Sequence, residues 1–478
     1  MNNEVQINSE NNTDEIIDQF NEEIQRKILN SKFEKILFDI SSIYKIPISD
    51  LKFKVNQIIF NDYNFEKSKF LNLYNSLKIY LYFLSNILSL LVFNLFKINT
   101  KFKKEYELIL PDIEKIEQIL RLEKIFEKKK VLCFLKKKKL KKDLLNFNIQ
   151  SVSLNFLRFD KENFSNNRKL FQIIVEIFKI SKQKRINYFY ILNIIFLSIF
   201  KNSTLFKSYK SKYLLIDRFY ASCTIVKHFF KKNGGKLSMS TQKSLLETSL
   251  TNYSTFDILF TLGEEKVDKE KLIKYGKIDK IYPLGSFFYE HRDRINKISK
   301  KNEYEFDIVF LGINFTRNVF MSNKVINGYY EALSWLKKYS EKKPDLKIVI
   351  KHHDQAKIQT RERDMFKTSN IKFIENSKFY GESYDYCFNS NIICSFGSAL
   401  LLESAIFNNN IFFLNPDNLN KNFFEIQKFE ELQIKKYQTM EDKFSDILYN
   451  KKTTKIDKEK YCLKDYPSNN LIKFFDSN

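Results

Sequence analysis

The second half of the chain alternates short apolar runs with longer stretches in which apolar residues recur every three or four positions. FDIVFL (Phe306–Leu311), LKIVI (Leu346–Ile350), Ile371–Ile374, Ile392–Cys394 and Ile411–Leu414 read as strands. Ser322–Ser340, the short Tyr384–Phe388 and the run that ends at Phe407 read as helices. Strands spaced by helices in this way predict a parallel sheet with helices on both faces. A looser form of the same rhythm precedes it: Ser151–Asp160, Lys212–Ile216, Lys236–Ser240, Phe256–Thr261 and Lys280–Leu284 as strands, and a helix from Asp217 to Lys232 closed by Asn233-Gly234-Gly235. The fold class expected is α/β: two doubly wound domains facing a cleft, behind a mainly helical N-terminal extension. The boundaries read as a tail over 1–30, a helical, basic region over 31–150, a first α/β domain over 151–295, a second over 296–455, and a C-terminal tail over 456–478.

Composition adjusts this picture in a few places. With 43% apolar residues in 478, the chain has ample material for two cores. The net charge of +24 suits anionic partners, but the crowding of Lys, Asn, Ile and Phe is also what AT-rich coding produces. Where the charge clusters is therefore more informative. Between Lys128 and Lys142, nine lysines surround Val131–Leu135, a pattern that reads as a solvated face or loop, or as a holder of anionic headgroups. No nucleic-acid signature accompanies it, and nucleic acid is not expected as a partner. Ile79–Phe96 is an uncharged 18-residue stretch at the lower limit for a membrane span, and it reads as a buried core helix, an in-plane helix or a span. Tyr188–Phe200 fits a buried helix. The five cysteines are scattered and the four histidines few, so neither a disulfide framework nor a metal site is expected. The polar, acidic start carries no cleavable signal, and a cytoplasmic location, peripheral on the inner face of the membrane at most, is the expectation.

The chemistry-bearing positions lie in three loops after strands of the second domain. Gly312–Arg317 follows FDIVFL, Lys351-His352-His353 follows LKIVI, and Ser395-Phe396-Gly397-Ser398 opens the helix that carries Glu403. A glycine, an arginine, a lysine with histidines, and a hydroxyl-bearing turn at a helix N-terminus form a set suited to a phosphate-bearing ligand. Gly312, Arg317, Lys351, His353, Ser395, Gly397, Ser398 and Glu403 are accordingly the candidate donor-binding residues. Asp217, after the KYLLI run, is a candidate base by position and a candidate structural carboxylate.

In order, FDILFTLGE (Phe256–Glu264), YPLGS (Tyr282–Ser286), FDIVFLG, KIVIKHH and SFGSALLLESAIFNNNIFFLNP (Ser395–Pro416) resemble the GT-B-type glycosyltransferases of bacterial surface-polysaccharide assembly, nearest to the capsule and teichoic-acid polymerase-like branch with its glycerophosphotransferases. The resemblance covers roughly Lys212–Pro416 and implies two Rossmann-like domains. It further implies a nucleotide-activated sugar or polyol donor as substrate, no tightly bound cofactor, and a glycan or lipid-linked acceptor held by the first domain. His353, Ser398 and Glu403 would then belong to the donor site. Relatives carry a Gln-His-Gly-like turn before the FDILF-type strand, where this chain reads Thr241-Gln242-Lys243-Ser244. Gln242 keeps one polar group there, and His353 completes the catalytic candidates. A fold-retaining scaffold without activity, and a nucleotide-sugar epimerase, are the alternatives.

Overall fold

The computed structural model describes residues 26, 28–65, 104–115, 117–135, 150–153, 167–184, 186–217, 224–242, 254–264, 277–296, 304–313, 323–353, 360–367, 369–374, 382–418 and 426–477. Among the described residues, thirteen strands form two parallel sheets. The first takes β1 (Lys104–Ile113), β2 (Val131–Leu135), β3 (Gln150–Ser153), β4 (Tyr209–Ile216), β5 (Leu237–Thr241), β6 (Thr255–Thr261) and β7 (Lys277–Pro283), in the order β3-β2-β1-β4-β5-β6-β7. The second takes β8 (Phe306–Leu311), β9 (Ile348–Lys351), β10 (Lys372–Ile374), β11 (Ser390–Ser395), β12 (Ile411–Leu414) and β13 (Gln433–Ile434), in the order β10-β9-β8-β11-β12-β13. In each sheet the strand order reverses once, between β1 and β4 and between β8 and β11. These are the switch points at which doubly wound sheets bind ligands.

Central strands such as β2, β6, β8 and β12 are almost wholly apolar, as strands of a sheet covered by helices on both faces are. β2 and β6 are buried at every position. β7, at the edge, is polar and mostly exposed, which discourages further pairing. Polar residues fix the connections: Asn30 caps the Ser31–Tyr44 helix by accepting from Phe33 N at 3.1 Å. Gly234, at φ 91°, ends the Thr224–Lys232 helix, and the next N–H, of Gly235, reaches Phe230 O at 3.0 Å. Asn408 donates to the Ser390 and Asn391 carbonyls and Asn410 to Asn391, so the asparagine-rich turn holds the entry of β11.

The first sheet starts earlier than the sequence pattern indicates. β1 and β2 come from the stretch expected to be helical, so the first α/β unit reaches back to Lys104, not 151. β1 is masked in sequence by its charged start and by Pro111, which cannot donate to a ladder; its register with β2 shifts between Leu110 and Ile113. The apolar centre of the lysine run is β2 itself, an interior strand and not a lipid-facing patch, while 136–142 lie outside the described residues. The strand expected over Ser151–Asp160 is β3 as far as Ser153, with the remainder outside the described residues, as are Arg317, Lys243, Ser244 and the whole of Ile79–Phe96. Tyr188–Ser208 is a helix long and apolar enough to cross a membrane, yet 72% of its apolar window is buried, and it lies against the first sheet beneath the helices Ser31–Tyr44 and Asn167–Lys184.

The last residues are no tail. Lys458–Tyr461 belongs to the second core, and the Pro467–Ser477 helix crosses back to the first, where Leu471, Ile472 and Phe475 are buried beside Tyr213 and Leu215. Phe475 stacks on Tyr213 at 4.5 Å, and the Tyr213 hydroxyl donates to Phe475 O at 3.2 Å. The chain therefore ties the two sheets together at both the 284–286 crossing and its own end.

Candidate functional site

Three strand exits build the second switch point. Gly312 N donates to Lys351 O at 2.9 Å, and a Cβ on Gly312 would stand 3.3 Å from His352 Cα, His353 N and Lys351 O. A bare glycine lets the exit of β8 run against that of β9. Ser395 Oγ donates to Leu311 O at 2.9 Å and accepts from Gly397 N at 3.1 Å, which ties the exit of β11 to β8. The structure thus brings Gly312, Lys351–His353 and Ser395–Ser398 together at one sheet edge, and Ser395 and Gly397 act there as the brace of the turn.

The individual side chains divide into those turned inward and those at the edge. Lys351 is buried, its Nζ 3.2 Å from His352 O and 3.6 Å from Glu382 Oε2. His352 lies inside the domain, with Nδ1 3.6 Å from Glu362 Oε2 and its ring against Phe373. His353 and Ser398 are half-buried at the edge. Ser398 precedes a helix shorter than the pattern indicates: Ala399–Ser404 is helical, and turns carry the chain to Phe407. With so few aligned peptides, the helix dipole is a minor part of the site, and the strand-end loops are the major part.

Glu403 is enclosed. Its Oε2 accepts hydrogen bonds from the Ser286 and Tyr384 hydroxyls. Burial, the largest influence, pushes its carboxyl pKa up, while those two hydroxyls and the charge of Arg121 oppose the rise. Ser286, in the segment that crosses between the units, also caps the Phe287–Asn296 helix by accepting from Tyr289 N at 3.1 Å.

The first switch point supplies Arg121. Asp217, directly after β4, pairs with the Arg121 guanidinium at 3.1 Å and accepts from Gln118 Nε2, both partners standing after β1. Arg121 also lies over the Phe288 ring at 3.9 Å. Since Ser286, after β7, bonds Glu403, after β11, and Arg121, after β1, lies over Phe288 beside it, the two carboxyl edges face each other. Around them Glu290 is held by Lys124 at 3.3 Å and by Ser468 N at 3.0 Å. His291 is held neutral near pH 7, its pKa lowered to about 4 by burial first and then by Arg294, Arg292 and Arg121. Gln242 is spent locally: its Oε1 accepts from Leu262 N at 3.0 Å across the exits of β5 and β6.

No protein-family model matches the sequence, and no curated protein matches it. Solved structures are similar to it at low identity. UDP-GlcNAc 2-epimerase from Neisseria meningitidis bound to UDP-GlcNAc is similar at 12% identity and a TM-score of 0.45, over 78% of this chain and 100% of that one. S. aureus MnaA in complex with UDP is similar at 13% and 0.48, over 78% and 97%. The wall teichoic acid polymerase TagF with CDPG is similar at 10% and 0.38, over 84% and 98%. The fold of this chain is α/β, as expected: two doubly wound, Rossmann-ordered sheets meeting at their carboxyl edges, with a helical N-terminal region.

Sequence reasoning missed Arg121, Gln118, Tyr384 and His291. Arg121 stands in a stretch without motif, and only the hidden strand β1 places it at a switch point. Ser286 had a signal, the YPLGS turn with Gly285 at φ 99°, but its partner Glu403 lies 117 positions away.

Proposed function

We propose that this chain moves a sugar or polyol-phosphate unit from a nucleotide-activated donor to a surface polysaccharide or lipid-linked glycan acceptor. The observation that carries the reading is the convergence of the exits of β8, β9 and β11 at the second switch point, opposite the corresponding point of the first sheet. A departing diphosphate needs hydrogen-bond donors and positive charge where its own charge develops. His353 and Ser398 supply donors at the sheet edge, with the charge of Lys351 behind them. Arg121 is a cation of the first unit whose charge reaches Glu403 on the opposing side. The acceptor lies on the side of the first sheet, in a reaction of inverting type.

A second reading has an observation of its own. Gln242 and Asp217, the candidates on the acceptor side, are both engaged in local bonds, Gln242 with Leu262 and Asp217 with Arg121 and Gln118. A protein that binds the donor without transferring it, as a scaffold, is consistent with that. Calorimetry with UDP, CDP and GDP, followed by turnover of the corresponding donors, separates the two. Transfer predicts micromolar-range binding of one nucleoside diphosphate, about tenfold weakening in His353→Ala, as expected for loss of a charge-assisted hydrogen bond, and turnover that needs an acceptor. Binding without turnover supports the scaffold. If no nucleoside diphosphate binds and His353→Ala leaves the cellular glycan unchanged, both readings fall.

A further inference from the structure

His353 stands at the edge where the exits of β8, β9 and β11 converge, and the chain is fixed just behind it. The preceding residue, His352, is buried; its N–H donates to Ile374 O in β10 at 3.0 Å, and its carbonyl accepts from Lys351 Nζ at 3.2 Å. A Cβ on Gly312 would meet His353 N at 3.3 Å. With the backbone confined in this way, the seat of the His352 ring decides where the next side chain goes. Successive side chains leave an extended chain on opposite sides, and a ring held inside the domain sends His353 toward the edge, where it is half-buried.

Glu362 seats that ring. It is the third residue of the next helix, Thr360–Phe366, and is 1% exposed. Its Oε1 accepts from the Tyr329 hydroxyl at 2.9 Å, and its Oε2 lies 3.6 Å from His352 Nδ1, within ion-pair reach. The imidazole also lies against Phe373, with ring centroids 5.9 Å apart. One carboxylate thus joins the Asn323–Lys342 helix after β8, the exit of β9 and the helix after β9. Burying a carboxylate is costly, and the Thr360–Phe366 helix has an apolar anchor of its own in Phe366, which is buried and stacks on Phe373 at 6.1 Å. Docking the helix therefore does not account for the charge. We propose that Glu362 is a positioning residue for donor binding: through His352 it fixes the exit of β9 with the His353 imidazole turned to the donor diphosphate. What His353 meets rests on the donor reading above; that Glu362 sets its place rests on these contacts alone.

The experiment compares the full chain with Glu362→Gln, which keeps the side-chain volume and an acceptor for Tyr329 but removes the charge beside His352. Calorimetry with the nucleoside diphosphate that the parent binds is expected to show a loss of about tenfold, like that of His353→Ala, and no further loss when the two changes are combined. Losses that multiply in the double variant would mean that Glu362 supports the domain independently of His353, and would overturn the proposal; so would unchanged affinity in Glu362→Gln. If Glu362→Gln does not fold, Tyr329→Phe, which removes one donor from the carboxylate, is expected to give a smaller loss that likewise vanishes in the His353→Ala background. A second measurement needs no ligand. The chain has four histidines, so NMR of protein carrying isotope-labelled histidine resolves them, with His353→Ala assigning its signal. Glu362→Gln is expected to shift the His353 imidazole resonances. An unmoved His353 signal overturns the proposal whatever the ligand does, whereas a shifted signal in a protein that binds no nucleoside diphosphate supports the positioning role and sinks the donor reading.

Discussion

Asp217 shows how a single residue changes meaning once its neighbours are known. By position it is a carboxylate at a strand exit, one of the places where a catalytic base stands. In the structure its oxygens meet Arg121 and Gln118, and both residues of the ion pair are buried. Removing one partner of such a pair strands the other charge in a poorly solvated place, so Asp217→Ala is expected to lose about 3 kcal/mol in urea unfolding. Combined with Arg121→Ala the loss should fall short of the sum of the two single losses, because the second change removes the stranded charge. Unchanged stability in Asp217→Ala, with turnover abolished, would instead identify a base.

At the level of elements, Asp257 fastens the Thr224–Lys232 helix to β5 and β6. It accepts from Ser238 N at 2.7 Å and pairs with Lys227 at 2.9 Å and Lys231 at 2.8 Å. Burial alone would raise its pKa; the two lysines and the Ser238 N–H outweigh it and hold the carboxyl at about 2. A depressed acid stabilises the fold above its ordinary pKa and loses that contribution as pH falls through the folded value. Asp257→Asn should therefore lower stability at pH 7 by about 2 kcal/mol and flatten the acid limb between about pH 4 and 2, read from denaturant midpoints against pH. An unaltered acid limb would show that the lysines hold nothing. Elements such as β8 and β12 were legible from their apolar runs alone, and match the expected spans residue for residue. β1 and β2 were not: charge at β1's start, Pro111 within it, and lysines around β2 all mimic exposed structure until neighbouring strands bury them.

Across the whole molecule the two sheets are joined by close approaches of backbone. Gly263, after β6, lies so near the Lys458–Tyr461 helix that a Cβ would stand 2.6 Å from Lys460 O. Farther along, the Pro467–Ser477 helix completes the core of the first sheet. Phe475→Ala is expected to cost about 3 kcal/mol, as for other buried aromatic truncations, and to speed amide exchange in β1 and β4, far from it in sequence. Faster exchange confined to 467–477 would mean that the helix merely rests on the sheet.

Alternating runs of apolar residues were enough to determine two parallel α/β units in the chain, and Gly312, Lys351–His353 and Ser395–Ser398 followed from them, since every exit of a parallel strand lies on the same edge. Tertiary structure decided which side chains at that edge are spent on the fold. It turned Lys351 and His352 inward, enclosed Glu403 between Ser286 and Tyr384, and brought Arg121 from a motif-free stretch to the opposing sheet edge. The physical reason is range: periodicity records each residue's own exposure, whereas a buried carboxylate is defined by partners that the sequence separates by about a hundred positions.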